Sequence, residues 1–169
     1  MKNKDRHAAF ISIGSNMGDR VANCLKGIRL LNDQCHTSVL NRSPFYQTEP
    51  VDYIEQDWFI NGVVQVETQL EPIPLLRFIK EIEQQVGRTS GAVRFGPRVL
   101  DMDILLYGSE VLDHPDLVIP HPRMHKRCFV LKPLCDIDPN IVHPVLHRTM
   151  ENLLDRIDND GQEVILYPC

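Results

Sequence analysis

The chain has 169 residues, enough to bury a proper core as one domain over 1–169. Its 43% apolar and 24% charged residues are those of an ordinary globular protein. A formal net charge of −5 argues against a general nucleic-acid binder, which carries a basic excess, so any phosphate ligand must be met by a local group of arginines. The apolar run at 8–13 is too short for a signal-peptide core or a membrane span. The five scattered cysteines, with no Cys-x-x-Cys pair, predict reduced thiols in a cytoplasmic protein.

Residues 8–13 read as a short strand ending in the turn Gly14-Ser15-Asn16; the Gly-Lys-Ser/Thr ending of a phosphate loop is missing. From Asp19 or Arg20 to about Asn32 the pattern is an amphipathic helix, with Val21, Leu25, Ile28 and Leu31 at helical spacing and Asp19 as N-cap. Residues 37–48 are extended, with Pro44 marking an edge or a bulge. A polar, acidic loop follows over 48–57, long enough to be functional or mobile. In the next strand, 59–67, Ile60, Val64 and Val66 form a core face, and Phe59, Asn61 and Val63 share the other. An aromatic beside an amide suits ring stacking and recognition of a base-like edge, although such a pair is more often plain strand surface. Residues 72–86 give the clearest helix: proline in the first turn, Gly87 just past the end, and Leu75, Ile79, Ile82 and Val86 as the buried stripe. The loop 88–96 carries Arg88 and Arg94.

The chain is organised around the strand 99–107. Leu100, Met102, Ile104 and Leu106 alternate onto one apolar face, which leaves Asp101 and Asp103 on the other. At about 3.3 Å of rise per residue their Cα atoms lie roughly 6.6 Å apart. Carboxylates so spaced can converge on a pair of Mg²⁺ ions about 3.5–4 Å apart. The Gly96-Pro97 turn carries Arg94 and Arg98 to the mouth of this strand. Hard oxygen ligands beside guanidinium forks are what phosphoryl chemistry requires. The competing reading is a strand with one wet face, but aspartate is poor strand material and two against so apolar a reverse side call for a reason.

The order strand, helix, strand, strand, helix, strand is the split βαβ pattern. It predicts an α+β fold: a ferredoxin-like βαββαβ sandwich with an antiparallel sheet, both helices on one face and the other face free for ligand. Phe59, Asn61, Asp101 and Asp103 would share that open face. Beyond Gly108, additional C-terminal strands and helices are expected: a short strand pair around Val111 and 117–119, a basic segment from His121 to Arg127 opening a helix through about Leu134, a proline-broken loop at 136–145, a short helix at 149–157 and a last strand at 163–167. His121 and His125 stand four apart as helical metal ligands do, but no third ligand accompanies them. His121 and Arg127 are the better candidates for further phosphate donors.

Three segments together resemble the 6-hydroxymethyl-7,8-dihydropterin pyrophosphokinase family of the folate pathway: Phe10-Ile-Ser-Ile-Gly-Ser-Asn16, Arg94-Phe-Gly-Pro-Arg-Val-Leu-Asp-Met-Asp103, and Ile119-Pro-His-Pro-Arg-Met-His-Lys-Arg-Cys-Phe-Val-Leu-Lys-Pro-Leu134. The similarity runs from about Ala9 to Pro139. It implies one-step transfer of the terminal pyrophosphate of ATP to a pterin hydroxymethyl group with release of AMP, on a ferredoxin-like sandwich. It further implies that Asp101 and Asp103 hold two Mg²⁺ ions and that Arg88 and Arg98 clamp phosphates. His121, Arg127, Arg94 and Glu83 would meet the nucleotide, with Leu76 and Ile104 near the adenine. Phe59 and Phe129 would sandwich the pterin, and Asn61 with backbone groups around Thr48, Glu49 and Val51 would read its edge. A monomer acting on small molecules, with no nucleic acid or membrane partner, is expected. Departures from the family pattern are Ser90 for a second loop arginine, Phe95 for a tryptophan, Phe59 for a tyrosine, and Pro122 where an aromatic can sit. The Ser90 departure implies a loop that closes less firmly over ATP. An ordinary γ-phosphoryl kinase of a small alcohol shares these features and differs in its product. An RNA-binding module would need a basic, doubly aromatic sheet face, whereas this face carries two aspartates.

Overall fold

The computed structural model of the chain describes residues 5–32, 36–51, 54–87, 97–158 and 161–168. Its elements run β1 (His7–Ser15), α1 (Arg20–Asn32), β2 (Thr37–Arg42), β3 (Tyr46–Thr48), β4 (Phe59–Thr68), α2 (Pro72–Val86), β5 (Asp101–Tyr107), β6 (Leu112–His114), β7 (Leu117–Ile119), a 3₁₀ turn (Met124–Lys126), α3 (Cys128–Ile137), α4 (Met150–Asp155) and β8 (Val164–Leu166). The main sheet is six-stranded in the order β5-β1-β4-β3-β8, and β2 shares with β3 the same side of β4. Every strand pairing is antiparallel. β2 and β3 are the expected extended run divided around Ser43-Pro44-Phe45, since proline brings no N–H to a ladder.

Helices α1 and α2 pack on one sheet face. Cys24 and Leu31 from α1 and Leu75, Ile79 and Ile82 from α2 are buried against Ile11, Ile13, Ile60, Val64, Leu100 and Met102. The α1 stripe differs from the expected one: Leu25 is exposed, and Gly27 takes the contact position instead. A Cβ on Gly27 would lie 2.8 Å from Leu100 Cδ2, so the helix approaches the sheet as closely as it does only without a side chain there. Asp19 caps α1 as expected, its Oδ1 accepting Ala22 N–H at 3.0 Å.

Two expectations are corrected on the second face. It is not wholly free: α3 and α4 cover one end, burying Val130, Leu131, Leu134, Met150 and Leu153 against Phe10, Val63 and Leu105. The apolar row of β5 also breaks, because a register shift between Phe10 and Ile11 leaves Leu105 as a bulge. A one-residue slip turns the following side chains over, so Leu106 joins the α3 side, while Tyr107 packs in the α1/α2 core and donates its hydroxyl to Leu70 O at 2.9 Å. What α3 leaves uncovered is the other end, where Gly14 pairs with both Asn61 and Asp101, and Ser12 with Asp103. No described helix is long and apolar enough to cross a membrane.

Candidate active site

The uncovered end of the sheet is the floor of a cavity of about 400 Å³. Asp101 and Asp103 stand on the floor, half-buried, from β5. Across β1 from Asp101 comes Gly14 and then Asn61, so the acid and the amide occupy one lateral row with a glycine between them. A Cβ on Gly14 would overlap Asn61 Oδ1, and the bare backbone is what lets the amide lie there. Asn61 is oriented by Thr48, whose Oγ1 accepts its Nδ2–H at 2.6 Å. Phe59 from β4 and Phe129 from the first turn of α3 both line the cavity, and the Arg127 guanidinium lies 5.5 Å from the Phe129 ring centroid.

The lining is rich in basic side chains: Arg98, His121, Arg123 and Arg127, with Lys80 from α2. The bulge sets His121 in place, because the carbonyl of Leu105 accepts its main-chain N–H at 2.9 Å. Its Nδ1 accepts Arg123 N–H at 3.1 Å, which puts the ring proton on Nε2. Burial, then Arg127 and Arg123, pull this imidazole down to about 4, so it is a neutral donor at ordinary pH.

Of the residues picked from sequence, Thr48, Glu49, Val51, Phe59, Asn61, Arg98, Asp101, Asp103, His121, Arg127 and Phe129 come together on this one cavity. Leu76, Glu83 and Ile104 do not. Ile104 is buried on the α1/α2 face with Leu76 packed beside that core. Glu83 is wholly buried, with Oε1 accepting Met102 N–H at 2.8 Å and Oε2 lying 3.4 Å from Lys80 Nζ. Arg88, Arg94, Ser90 and Phe95 fall outside the described residues. His125 belongs elsewhere: the segment from His121 is a 3₁₀ turn, not a helix, and the His125 ring meets His143 edge-on at 6.2 Å. Sequence reasoning missed Ser12, Gln56, Lys80 and Arg123 as wall residues. Arg123 was legible as part of the basic segment, whereas the placement of Ser12 and Gln56 follows from strand pairing and loop path.

Two carboxylates on the sheet, several basic side chains and two aromatics beside an amide thus line one cavity, a combination suited to phosphate groups and a flat heterocycle. The model of the 7,8-dihydro-6-hydroxymethylpterin-pyrophosphokinase family matches residues 10–139, and the chain belongs to that family. It is 43% identical over 129 residues to the Bacillus subtilis 2-amino-4-hydroxy-6-hydroxymethyldihydropteridine pyrophosphokinase, covering 76% of this chain and 77% of that one. It is 42% identical over 159 residues to the Dictyostelium discoideum folic acid synthesis protein FOL1, covering 94% of this chain but 24% of the relative, so the chain spans about a quarter of that protein. A crystal structure of Plasmodium falciparum HPPK-DHPS with pterin and p-hydroxybenzoate superposes with a TM-score of 0.72 at 18% identity, covering 92% of this chain and 44% of that one; this shows the likeness of fold.

Proposed function

We propose that the protein transfers pyrophosphate from ATP to 6-hydroxymethyl-7,8-dihydropterin, releasing AMP, as a step of folate biosynthesis. The observation that carries this reading is the convergence of Asp101, Asp103, Arg98, His121, Phe59, Asn61 and Phe129 on one cavity. The fold is read as a ferredoxin-like βαββαβ sandwich, which the strand order β5-β1-β4-β2/β3 supports, with β6–β8, α3 and α4 as additions.

Mg²⁺ fits the donor set. Asp101 and Asp103 offer hard oxygens from adjacent same-face positions, and Mg²⁺ characteristically takes one or two carboxylates and fills its shell with water and substrate phosphates. Two ions held by the pair would supply charge neutralisation on the triphosphate. Arg98 grips phosphate oxygens through its planar fork, and the neutral His121 donates from Nε2 without adding charge. Phe59 and Phe129 hold the pterin ring while Asn61, fixed by Thr48, pairs with its polar edge. The ring hydroxymethyl oxygen is then presented in line to the β-phosphorus. A new O–P bond forms as the bond between that phosphorus and the α–β bridging oxygen breaks; AMP leaves with this oxygen, and the hydroxyl proton goes to solvent. Catalysis is thus mainly positioning and electrostatics.

The test is incubation with ATP, Mg²⁺ and the pterin, followed by identification of the nucleotide product. AMP formed in step with pterin consumption is expected. ADP would make this an ordinary kinase, and no pterin-dependent turnover would overturn the proposal.

A further inference from the structure

Asn16 follows the last residue of β1 and is 3% exposed. Every polar atom of its side chain is engaged with one of two segments of the cavity wall. Oδ1 accepts Arg98 N–H at 2.8 Å, and the main-chain N–H of Asn16 donates to Arg98 O at 3.0 Å, so residue 98 is held from both sides. Nδ2 donates to Gln56 Oε1 at 2.9 Å and to Asp57 O at 3.0 Å, fastening the end of the acidic loop. The amide orientation is fixed by these partners, because a flip would set N–H against the Arg98 N–H and oxygen against the Asp57 carbonyl. Arg98 leads into the Asp101/Asp103 strand, and the loop ending at Asp57 brings Glu49, Val51 and Gln56 to the cavity.

We propose that Asn16 is a positioning residue for the transfer: one buried carboxamide couples the loop at the pterin end to the arginine at the phosphate end. The inference rests on the reading of Arg98 as a phosphate clamp. The chemistry demanded at position 16 is narrow. The side chain must present one acceptor and two donors in a plane at the length of asparagine. Aspartate keeps the acceptor for Arg98 but turns an oxygen toward the Asp57 carbonyl, while alanine and serine do not span the gap. Misplacing a clamp by about 1 Å is enough to cost on the order of 100-fold in rate, so a residue that touches no substrate can matter this much.

A kinetic double-mutant cycle separates coupling from mere structural support. Asn16→Ala is expected to lower kcat on the order of 10–100-fold. In an Arg98→Ala background the same substitution should add less than about threefold, since its route to the phosphates is already gone. Gln56→Ala removes one of the four bonds of Asn16 from a partly exposed loop and is expected to fold, as its thermal unfolding would show. It should raise the pterin KM several-fold and be likewise sub-additive with Arg98→Ala, which keeps the cycle available if Asn16→Ala fails to fold. Losses that multiply fully in the double variants, or a kcat unchanged by Asn16→Ala, would overturn the coupling. If Arg98→Ala alone left kcat intact, the clamp assignment itself would fall, and this inference with it.

Discussion

Glu83 offers a test of how the strand that carries Asp101 and Asp103 is held. Among the described residues β5 ends the sheet and pairs with β1 alone, and an outward N–H on such a strand needs a partner if it is buried. The Met102 N–H, between the two aspartates, finds it in the wholly buried Glu83 carboxylate at 2.8 Å. Glu83→Ala strands that N–H at about 1–3 kcal/mol and opens a small cavity between α2 and β5, while removing a buried carboxylate that lies 3.4 Å from Lys80 Nζ. The net expectation is about 2–4 kcal/mol, and at about 2–4 °C per kcal/mol for a chain of this size a fall in Tm on the order of 5–15 °C. Glu83→Gln keeps an acceptor of the same shape and should lose under about 1.5 kcal/mol. Thermal and urea unfolding of the three proteins decide it. An alanine variant within about 0.5 kcal/mol of the parent, as for an ordinary surface change, would refute the reasoning. So would a glutamine variant as unstable as the alanine one, which would make charge rather than the acceptor the operative feature.

Asp101→Asn and Asp103→Asn should each lower kcat by about 10³-fold or more with little change in Tm, because each removes a carboxylate proposed to hold Mg²⁺; near-parental turnover at saturating Mg²⁺ would refute the metal assignment. Gly14→Ala puts a methyl where Asn61 Oδ1 lies, so the pterin KM should rise about tenfold while the ATP KM holds, as steady-state titration of each substrate would show. His121 is held well below its ordinary 6.5, at about 4, so the fold favours its neutral form. The unfolded chain therefore binds the extra proton between those values, and the stability so gained is present above about pH 6.5 and lost as pH falls toward 4. Urea midpoints at pH 7 and 4.5 should fall more steeply for the parent than for His121→Asn, by up to about 2 kcal/mol once solvent screening is allowed for.

The elements that sequence periodicity describes well are those whose burial is one-sided. α2 runs over the expected residues, and β4 has Ile60, Val64 and Val66 in the α1/α2 core with Phe59 and Asn61 on the cavity side. The acid pair was legible for the same reason, since alternation alone separates Asp101 and Asp103 from Met102. Where periodicity misled, a long-range contact had overridden it. The Leu105 bulge is imposed by pairing with β1, which no local pattern around Leu105 reveals. In α1, glycine is silent in a hydrophobic pattern, yet Gly27 is the residue against the sheet. Glu83 was expected at the nucleotide from the family resemblance alone, and its bond to Met102 depends on how α2 lies against β5. The cover of α3 and α4 was missed because a strand sequence does not say how much of its second face later elements will claim.

That partial cover is what makes the site work as a site. Over the whole chain the charge is −5, which would repel a nucleoside triphosphate, but the described cavity wall carries Lys80, Arg98, Arg123 and Arg127 against Glu49, Asp101 and Asp103. Such a balance is near neutral, and the two aspartates on the floor still oppose a polyphosphate locally. With Asp101 and Asp103 holding divalent cations, the floor would change sign and attract what it had repelled. On the proposed reading, ATP binding to this chain should be conditional on Mg²⁺, while a pterin stacked by Phe59 and Phe129 and met by Asn61 should bind with far less dependence on the metal. Calorimetric titrations of each ligand with and without Mg²⁺ separate the two. Equal ATP affinity under both conditions would mean that the arginines alone hold the phosphates and that the aspartates serve some other end.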